Sequence, residues 1–169
     1  MRITFKETPI HTNGALPPIG SKAPDFVLVS KELKDCSLKD FSGKRKLLSI
    51  VPSLDTSVCS LSAKKFNKAM QEHPEHIALI ISADSPFAQQ RICSLEHLEN
   101  VIPLSMMRSK DFARTYGVLI TDGPLAGLCA RAVLVLDESD LIVYEQLVPE
   151  ITQEPDYEKA LAALNRSLA

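Results

Sequence analysis

The segment from residue 46 to residue 82 limits most strongly how this chain folds. Two apolar runs, residues 47–51 and Ile77–Ser82, enclose a stretch with helical periodicity from Ser57 to about Met70. Runs that are apolar throughout are typical of parallel strands covered on both faces, and a helix between two such strands implies a right-handed crossover. The segment therefore predicts a β-α-β unit at the centre of an α/β fold.

Cys59 falls in the first turn of the predicted helix, directly after the first strand. The first N–H groups of a helix have no partner within the helix, and the helix dipole is positive there, so this position stabilises a thiolate. Pro52 closes the strand because it has no N–H to donate. Thr56 lies near enough to turn its hydroxyl toward the sulfur or to cap the helix. Taken alone, Cys59 fits a nucleophile and a buried, unreactive thiol equally well.

Pro52, Thr56 and Cys59 form the pattern Pro-x-x-x-Thr-x-x-Cys, which resembles the peroxidatic-cysteine motif of peroxiredoxins. Other segments are similar to the bacterial thiol peroxidase branch, whose members are atypical two-cysteine peroxiredoxins. With the opening residues 3–14, the resemblance covers essentially the whole chain. The further segments are residues 23–26, 82–93, 116–118, 123–137 and 150–155.

The resemblance implies a thioredoxin-like α/β sandwich, with a mixed central sheet, helices on both faces and an N-terminal β-hairpin. It implies an antioxidant peroxidase that reduces hydrogen peroxide and alkyl hydroperoxides without a metal or other cofactor. Cys59 is then the peroxidatic cysteine, assisted by Thr56 and Pro52, and Cys93 is the resolving cysteine that forms the intramolecular disulfide Cys59–Cys93. Thioredoxin as the reductant and a homodimeric assembly are implied in the same way.

Arg131 stands in an otherwise apolar strand, where an unpaired charge is costly. The pattern alone leaves open whether an edge strand turns this side chain to solvent, but the family motif places its active-site arginine here. The two cysteines are both predicted on helices, whereas a disulfide needs Cα atoms roughly 4.4–6.8 Å apart. We therefore expect the reduced form to hold Cys59 and Cys93 farther apart, and helix turns to unwind when the bond forms.

Composition and charge exclude several other classes. The formal net charge is −2 and no basic stripe is present, so we expect no nucleic-acid partner. No run approaches the ~20 apolar residues of a membrane span, and the first residues do not resemble a signal peptide, so we expect a cytoplasmic protein. The four cysteines include no Cys-x-x-Cys pair, and no histidines cluster near them, which argues against zinc. We interpret Cys36 and Cys129 as small hydrophobic residues, with a redox or interchain role for Cys129 as the minor alternative.

Two other function classes stay open at this point. A thioredoxin-like dithiol oxidoreductase or electron carrier is disfavoured because that class needs two cysteines on one helical turn. A non-catalytic binding or chaperone module is disfavoured because Pro52, Thr56, Cys59 and Arg131 are all present.

The remaining periodicity predicts one domain over residues 1–169. On the first helix, Val58, Leu61, Phe66, Ala69 and Met70 are expected to face the sheet. Pro103 suggests that its strand lies at a sheet edge. The other expected elements are a hairpin turning near residues 7–9, a strand over 23–29, a helix over 86–95, a short helix over 111–116, a hairpin of strands 130–136 and 141–148, and a last helix over 156–168.

Overall fold

The computed structural model of the protein describes residues 1–166. In chain order the strands are β1 (Arg2–Phe5), β2 (Thr8–His11), β3 (Leu28–Val29), β4 (Asp35–Cys36), β5 (Lys46–Ile50), β6 (Ile77–Ser82), β7 (Ile102–Ser105), β8 (Ala132–Leu136) and β9 (Ile142–Leu147). The α-helices are α1 (Ser57–Glu72), α2 (Pro86–Leu95), α3 (Asp111–Thr115) and α4 (Tyr157–Asn165), and a 3₁₀-helix spans Leu38–Phe41. No helix in this part of the chain is both long and apolar enough to cross a membrane.

The strands form a two-stranded hairpin, β1–β2, and a seven-stranded sheet in the order β4-β3-β7-β6-β5-β8-β9. β5, β6 and β7 are parallel, whereas β8 runs antiparallel to β5 and β9 antiparallel to β8. The structure therefore confirms the predicted α/β fold with a mixed sheet, an N-terminal hairpin and a β-α-β unit through α1.

Apolar side chains cover the sheet on both faces, which explains why the central strands carry continuous apolar runs. On β5, Leu47 packs with α1 and α4 on one face, while Leu48 packs with α3 and the N-terminal hairpin on the other. Both leucines are fully buried. Burial of a leucine of this kind stabilises the fold by about 1.5–3 kcal/mol relative to leaving it exposed.

Two predictions about orientation are wrong. β7 is not an edge strand, because β3 pairs with it at Ser105. Pro103 is tolerated because β3 is only two residues long and does not reach it. On α1, Leu61 is 43% exposed and Val58 is only partly buried, so neither lies at the centre of the buried face.

The buried stripe of α1 instead contains Cys59, Ser62, Ala63, Phe66, Ala69 and Met70, at the spacing of one helix face. Ser62 is tolerated inside because its hydroxyl is hydrogen-bonded to the Tyr157 hydroxyl at 2.9 Å. The prediction for this helix face failed because the polar Ser62 is buried and the apolar Leu61 is exposed. On α4, Leu164 is buried and Tyr157 packs against the same cluster.

Several element bounds differ from the prediction at their ends. The strand expected over residues 23–29 is reduced to β3. α4 ends at Asn165, with extended backbone at Arg166, and the rest of the predicted last helix lies outside the described residues. The turn of the N-terminal hairpin lies at Lys6–Glu7, slightly earlier than expected.

The N-terminal hairpin is held against residues 149–152 by hydrogen bonds from Thr4 and from its own turn. The Thr4 N–H donates to the Pro149 carbonyl at 2.8 Å, and the Ile151 N–H donates to the Thr4 carbonyl at 2.9 Å. Lys6 and Glu7 have φ values of 49° and 68°, a conformation for which hairpin turns normally use Asn-Gly. The Glu7 N–H donates to Glu150 Oε1 at 2.9 Å, so a residue far along the chain stabilises this turn.

The carboxylate of Glu150 makes the stability of the protein depend on pH. Partial burial alone would raise the pKa of Glu150, but hydrogen bonds from the Glu7 and Thr152 N–H groups and from the Thr152 and Thr4 hydroxyls outweigh it and lower the pKa from 4.5 to about 2. The stabilisation is therefore complete above pH 4.5 and is lost as the pH falls toward 2. We expect Glu150→Gln to be less stable than the wild type at neutral pH and to approach it in acid, measured by urea unfolding across pH.

Glu145→Gln is the matched control for this prediction. Burial raises the pKa of Glu145, so its charged form opposes folding. Glu145→Gln should therefore become more stable relative to the wild type as the pH rises. This is the opposite of the trend expected for Glu150→Gln. Parallel pH profiles for the wild type and Glu150→Gln would contradict the prediction for Glu150.

Candidate active site

Cys59 lies at the start of α1, where the chain returns from the carboxyl end of β5. Thr56 is the N-cap residue, and its Oγ1 accepts a hydrogen bond from the Cys59 N–H at 3.3 Å. Thr56 itself is exposed, whereas Cys59 is fully buried. The cap therefore fixes the first helical turn, and the sulfur faces the protein interior.

Arg131 is the cation beside this sulfur. Its side chain is buried, and its Nη1 donates to Cys59 Sγ at 3.2 Å. Nε and Nη2 both donate to the carbonyl of Ile151, at 2.9 and 2.8 Å. The alternative of a solvent-facing arginine on an edge strand is wrong, because Arg131 immediately precedes β8, which lies between β5 and β9. The guanidinium therefore lies within hydrogen-bonding distance of the cysteine sulfur and is held there by a backbone carbonyl.

Asp84 holds the loop between β5 and α1 in place. Its carboxylate accepts hydrogen bonds from Ser53 Oγ at 2.7 Å, from the Leu54 N–H at 2.7 Å and from Ser82 Oγ at 2.8 Å. Asp84 is not the cap of the following helix, because Ser85 caps α2. Asp84 instead ties the end of β6 to the loop that leads to Cys59.

A cavity of about 220 Å³ opens beside this loop. Its apolar side chains come from three distant segments, with Phe5 from the hairpin, Leu125 and Leu128 from the loop before β8, and Ile151 after β9. Its polar side is formed by Arg131, Thr56 and neighbouring residues. The complete lining is Phe5, Pro52, Ser53, Thr56, Ser57, Val58, Leu125, Leu128, Arg131, Ile151 and Thr152. The cavity therefore brings an apolar surface to the same place as the Arg131 cation.

Cys93 is not part of this cavity. It lies near the end of α2, half-buried, and lines a separate groove with Lys31 and His97. Burial raises the pKa of the Cys93 thiol, which the charge of Lys31 opposes. Cys59 and Cys93 are both free thiols on intact helices. The structure thus places Thr56, Pro52 and Arg131 in the lining of the cavity and Cys59 directly behind it, in contact with Arg131, whereas Cys93 lines a different groove.

The other two cysteines have no part in the cavity. Cys129 is fully buried, with Sγ 3.5 Å from Met106 Sδ, and burial raises its thiol pKa to about 12. Burial and the nearby Asp40 raise the pKa of Cys36 to about 11. Thiols with pKa values this high are weak nucleophiles at neutral pH. Within residues 1–166, no group of three or more His, Cys, Asp or Glu side chains is placed to hold a metal ion.

Phe5, Asp84 and Ile151 were missed as site residues by the sequence reasoning. Phe5 and Ile151 reach the cavity through contacts between opposite ends of the chain, and local periodicity carries no signal for such contacts. Asp84 did carry a signal, since it stands at the carboxyl end of a predicted strand beside the one that leads to Cys59. Because the carboxyl ends of parallel strands meet at one sheet edge, the sequence could have predicted that Asp84 lies near the loop before Cys59.

Comparison with known proteins shows similarity over the whole chain. The sequence profile of the Redoxin family matches residues 18–161. A thiol peroxidase of Leptospira interrogans is 47% identical over 169 residues, which is 99% of each chain. Among solved structures, a peroxiredoxin-like protein from Aquifex aeolicus has a TM-score of 0.89 at 36% identity, covering 96% of this chain and 95% of that one. A thiol peroxidase from Chromobacterium violaceum has a TM-score of 0.88 at 26% identity, covering 94% and 92%.

The hydrogen bonds that Asp84 accepts in the loop before Cys59 predict that Asp84→Asn lowers the free energy of unfolding. An amide at this position offers one acceptor oxygen and turns an N–H₂ group toward donors, so at least one hydrogen bond is lost. We expect the variant to be less stable by about 1–3 kcal/mol in urea unfolding. Asp55→Asn is the control, because Asp55 is exposed in the same loop. It should stay within roughly 0.5 kcal/mol of the wild type, and equal losses in the two variants would contradict the role given to Asp84.

Proposed function

The chain belongs to the Redoxin family and is a thiol peroxidase of the peroxiredoxin type, and from this premise we propose that it reduces hydrogen peroxide and alkyl hydroperoxides through Cys59, with Cys93 as the resolving cysteine. The observation that carries the proposal is the 3.2 Å contact between Arg131 Nη1 and Cys59 Sγ at the start of α1. It combines a nucleophile, a helix N-terminus and a buried cation at one point.

In the first step the Cys59 thiolate attacks the terminal oxygen of the hydroperoxide. The S–O bond forms as the O–O bond breaks, the cysteine becomes a sulfenic acid, and the other oxygen leaves as alkoxide or hydroxide and takes up a proton. Negative charge moves from sulfur to the leaving oxygen during this step, so donors fixed near both atoms lower the barrier. Arg131 is such a donor at the sulfur.

Thr56 and Pro52 assist this step from the wall of the cavity. Thr56 Oγ1 accepts the Cys59 N–H, which leaves its own hydrogen available to a peroxide oxygen. Pro52 is buried and lines the cavity, where its ring would limit the access of water to the sulfur. Restricted access also protects the sulfenic acid from further oxidation.

In the second step the Cys93 thiol attacks the sulfenic sulfur of Cys59, which forms the disulfide and releases water. The two cysteines lie near helix ends, Cys59 in the first turn of α1 and Cys93 in the last turn of α2, and terminal turns open at low cost. His97, just after α2, has a φ of 55°, a region that favours glycine, so the end of this helix is strained. These features support the unwinding that we propose for disulfide formation.

The third step returns the enzyme to its starting state. An external dithiol attacks the Cys59–Cys93 disulfide and passes through a mixed disulfide, which leaves both cysteines reduced and the donor oxidised. We propose thioredoxin as this donor, a homodimer as the assembly and the cytoplasm as the location. The family resemblance supports thioredoxin and the homodimer, and the need of the cycle for a supply of reducing thiols supports the cytoplasm.

The cavity supports alkyl hydroperoxides as substrates alongside hydrogen peroxide. Phe5, Leu125, Leu128 and Ile151 offer apolar contacts to the organic group of a hydroperoxide, while Arg131 lies where the peroxide reacts. Apolar contacts of this kind discriminate between substrates by about 1–3 kcal/mol. A disulfide carrier would not need such a cavity, and insulin-disulfide reduction provides a direct test of that alternative.

Thiol counting tests the two cysteine roles. One equivalent of hydrogen peroxide should remove two thiols from each wild-type chain without a covalent dimer, because the sulfenic acid on Cys59 is converted to an intramolecular disulfide. Cys59→Ser should lose no thiol, and Cys93→Ser should gain one oxygen on Cys59. Intact mass and a free-thiol assay measure these outcomes.

Cys129→Ala is the control for the thiol count, since its sulfur is buried away from the cavity. It should lose two thiols, as the wild type does. A Cys59→Ser protein that reacts like the wild type would overturn the peroxidatic role. A Cys93→Ser protein that still forms an intramolecular disulfide would overturn only the resolving role.

Phe5→Ala tests the apolar side of the cavity. We expect its kcat/KM with cumene hydroperoxide to fall about tenfold, equivalent to roughly 1.4 kcal/mol of lost apolar contact. With hydrogen peroxide, which has no apolar group, kcat/KM should change by less than about twofold. Phe87→Ala is the matched control, because Phe87 is 69% exposed on α2. Equal losses with both hydroperoxides would show that Phe5 does not determine specificity.

A further inference from the structure

We propose that Glu150 is a positioning residue for the catalytic arginine. In this proposal Glu150 fastens the N-terminal hairpin to residues 149–152 and thereby fixes the Ile151 carbonyl, which holds Arg131 against Cys59. The inference rests on the role that the proposed function gives to Arg131. It connects the hairpin to the reacting sulfur through a series of hydrogen bonds.

The Glu150 carboxylate binds both the hairpin and the segment that follows β9. Oε1 accepts hydrogen bonds from the Thr4 hydroxyl at 3.1 Å and from the Glu7 N–H at 2.9 Å. Oε2 accepts the N–H and the hydroxyl of Thr152, both at 2.7 Å. Each oxygen therefore serves one of the two segments, and the carboxylate bridges them.

Ile151 connects the segment bound by Glu150 to Arg131 in the active site. Its N–H donates to the Thr4 carbonyl at 2.9 Å, and its own carbonyl accepts two hydrogen bonds from the Arg131 guanidinium. The residue is thus held by the hairpin on one side and by the arginine on the other. Because Glu150 and Thr152 flank it, their contacts limit how far the Ile151 carbonyl can move.

The hairpin depends on Glu150 at the end nearest the cavity. Its turn uses Lys6 and Glu7 with positive φ, which is unfavourable for residues with a side chain. The hydrogen bond from the Glu7 N–H to Glu150 offsets that cost. At the far end of the hairpin, the Thr12 hydroxyl donates to the Gly14 carbonyl at 2.7 Å and has no contact with Glu150 or Ile151 in the described structure.

Arg131 is sensitive to such positioning because its guanidinium is rigid. Two of its nitrogens bind one carbonyl, which sets the direction of the third nitrogen toward the sulfur. A shift of the Ile151 carbonyl therefore turns Nη1 away from Sγ. Displacements of about 1 Å at a reacting centre can slow a reaction by about a hundredfold.

A double-mutant cycle tests the proposal. The measured quantity is the second-order rate constant for oxidation of Cys59 by hydrogen peroxide, in a Cys93→Ser background so that resolution does not contribute. We expect Glu150→Ala to lower this constant by about tenfold to a hundredfold. In a chain that also carries Arg131→Ala, the same change at Glu150 should have less than about a twofold effect, because the group on which it acts is gone. Glu150→Gln keeps one acceptor oxygen and should lie between the wild type and Glu150→Ala.

Thr12→Val is the matched control, because it removes hydrogen bonding from the far end of the hairpin. It should leave the rate constant within about twofold of the wild type. If Glu150→Ala does not fold, Glu150→Gln carries the same cycle. Equal rate losses from the Glu150 change with and without Arg131 would overturn the proposal, as would an equal loss in Thr12→Val. An Arg131→Ala protein that reacts as fast as the wild type would instead overturn the role of Arg131 in the proposed function, and the present inference with it.

Discussion

A buried guanidinium group beside a sulfur atom is the interaction on which the rest of the structure depends. An isolated charge in a protein interior is costly unless hydrogen bonds and an opposite charge compensate it. Arg131 is only 3% exposed, and its nitrogens bind the Ile151 carbonyl and Cys59 Sγ. The carbonyl satisfies hydrogen bonds but carries no full charge. Cys59 Sγ is the other group that the guanidinium contacts, so the burial of Arg131 and the chemistry proposed for Cys59 are linked.

Strand register determines that these groups meet. β8 runs antiparallel to β5, with Ala132 opposite Ile50, so the start of β8 lies beside the end of β5. β9 pairs antiparallel with β8, with Leu147 opposite Ala132, which brings residues 148–151 to the same end of the sheet. Arg131 precedes Ala132 by one residue and therefore lies next to the loop that leads to Cys59. The hairpin then adds Thr4 to the outer side of residues 149–151.

In the proposed mechanism, one part of the site keeps its contacts while the two cysteines move together. Arg131, Ile151, Glu150 and the hairpin are connected by hydrogen bonds. Cys59 and Cys93 lie instead at helix ends, where few backbone hydrogen bonds are lost when a turn unwinds. Asp84 binds the loop before Cys59 and also follows the strand that leads to α2, so it lies where these two helices begin. The proposed disulfide formation would move the first turn of α1, whose residues Ser57 and Val58 also line the cavity, while the hydrogen bonds from Arg131 to Ile151 lie outside the two helices.

The sequence by itself determined the features that depend on neighbouring residues. Apolar runs, helix periodicity and capping residues are local, and they predicted the β-α-β unit, the bounds of α2 and the place of Cys59 in the first turn of α1. The motif and its resemblance nominated Arg131, Thr56 and Pro52 before any contact was known. Where a prediction required knowledge of what packs against an element, it failed: Pro103 did not mark an edge strand, and Leu61 faces outward.

Only the tertiary structure decided which way Arg131 points, that Phe5 lines the cavity and that Glu150 bridges two ends of the chain. These contacts join residues that are distant in sequence, since Arg131 lies 72 positions from Cys59, and Glu7 lies 143 positions from Glu150. Their formation depends on sheet order and strand register, which arise from the packing of the whole core. Local residue patterns specify the elements because each element's own hydrogen bonds and side chains are near in sequence. They cannot specify how distant elements align, because that alignment is a property of the folded chain as a whole.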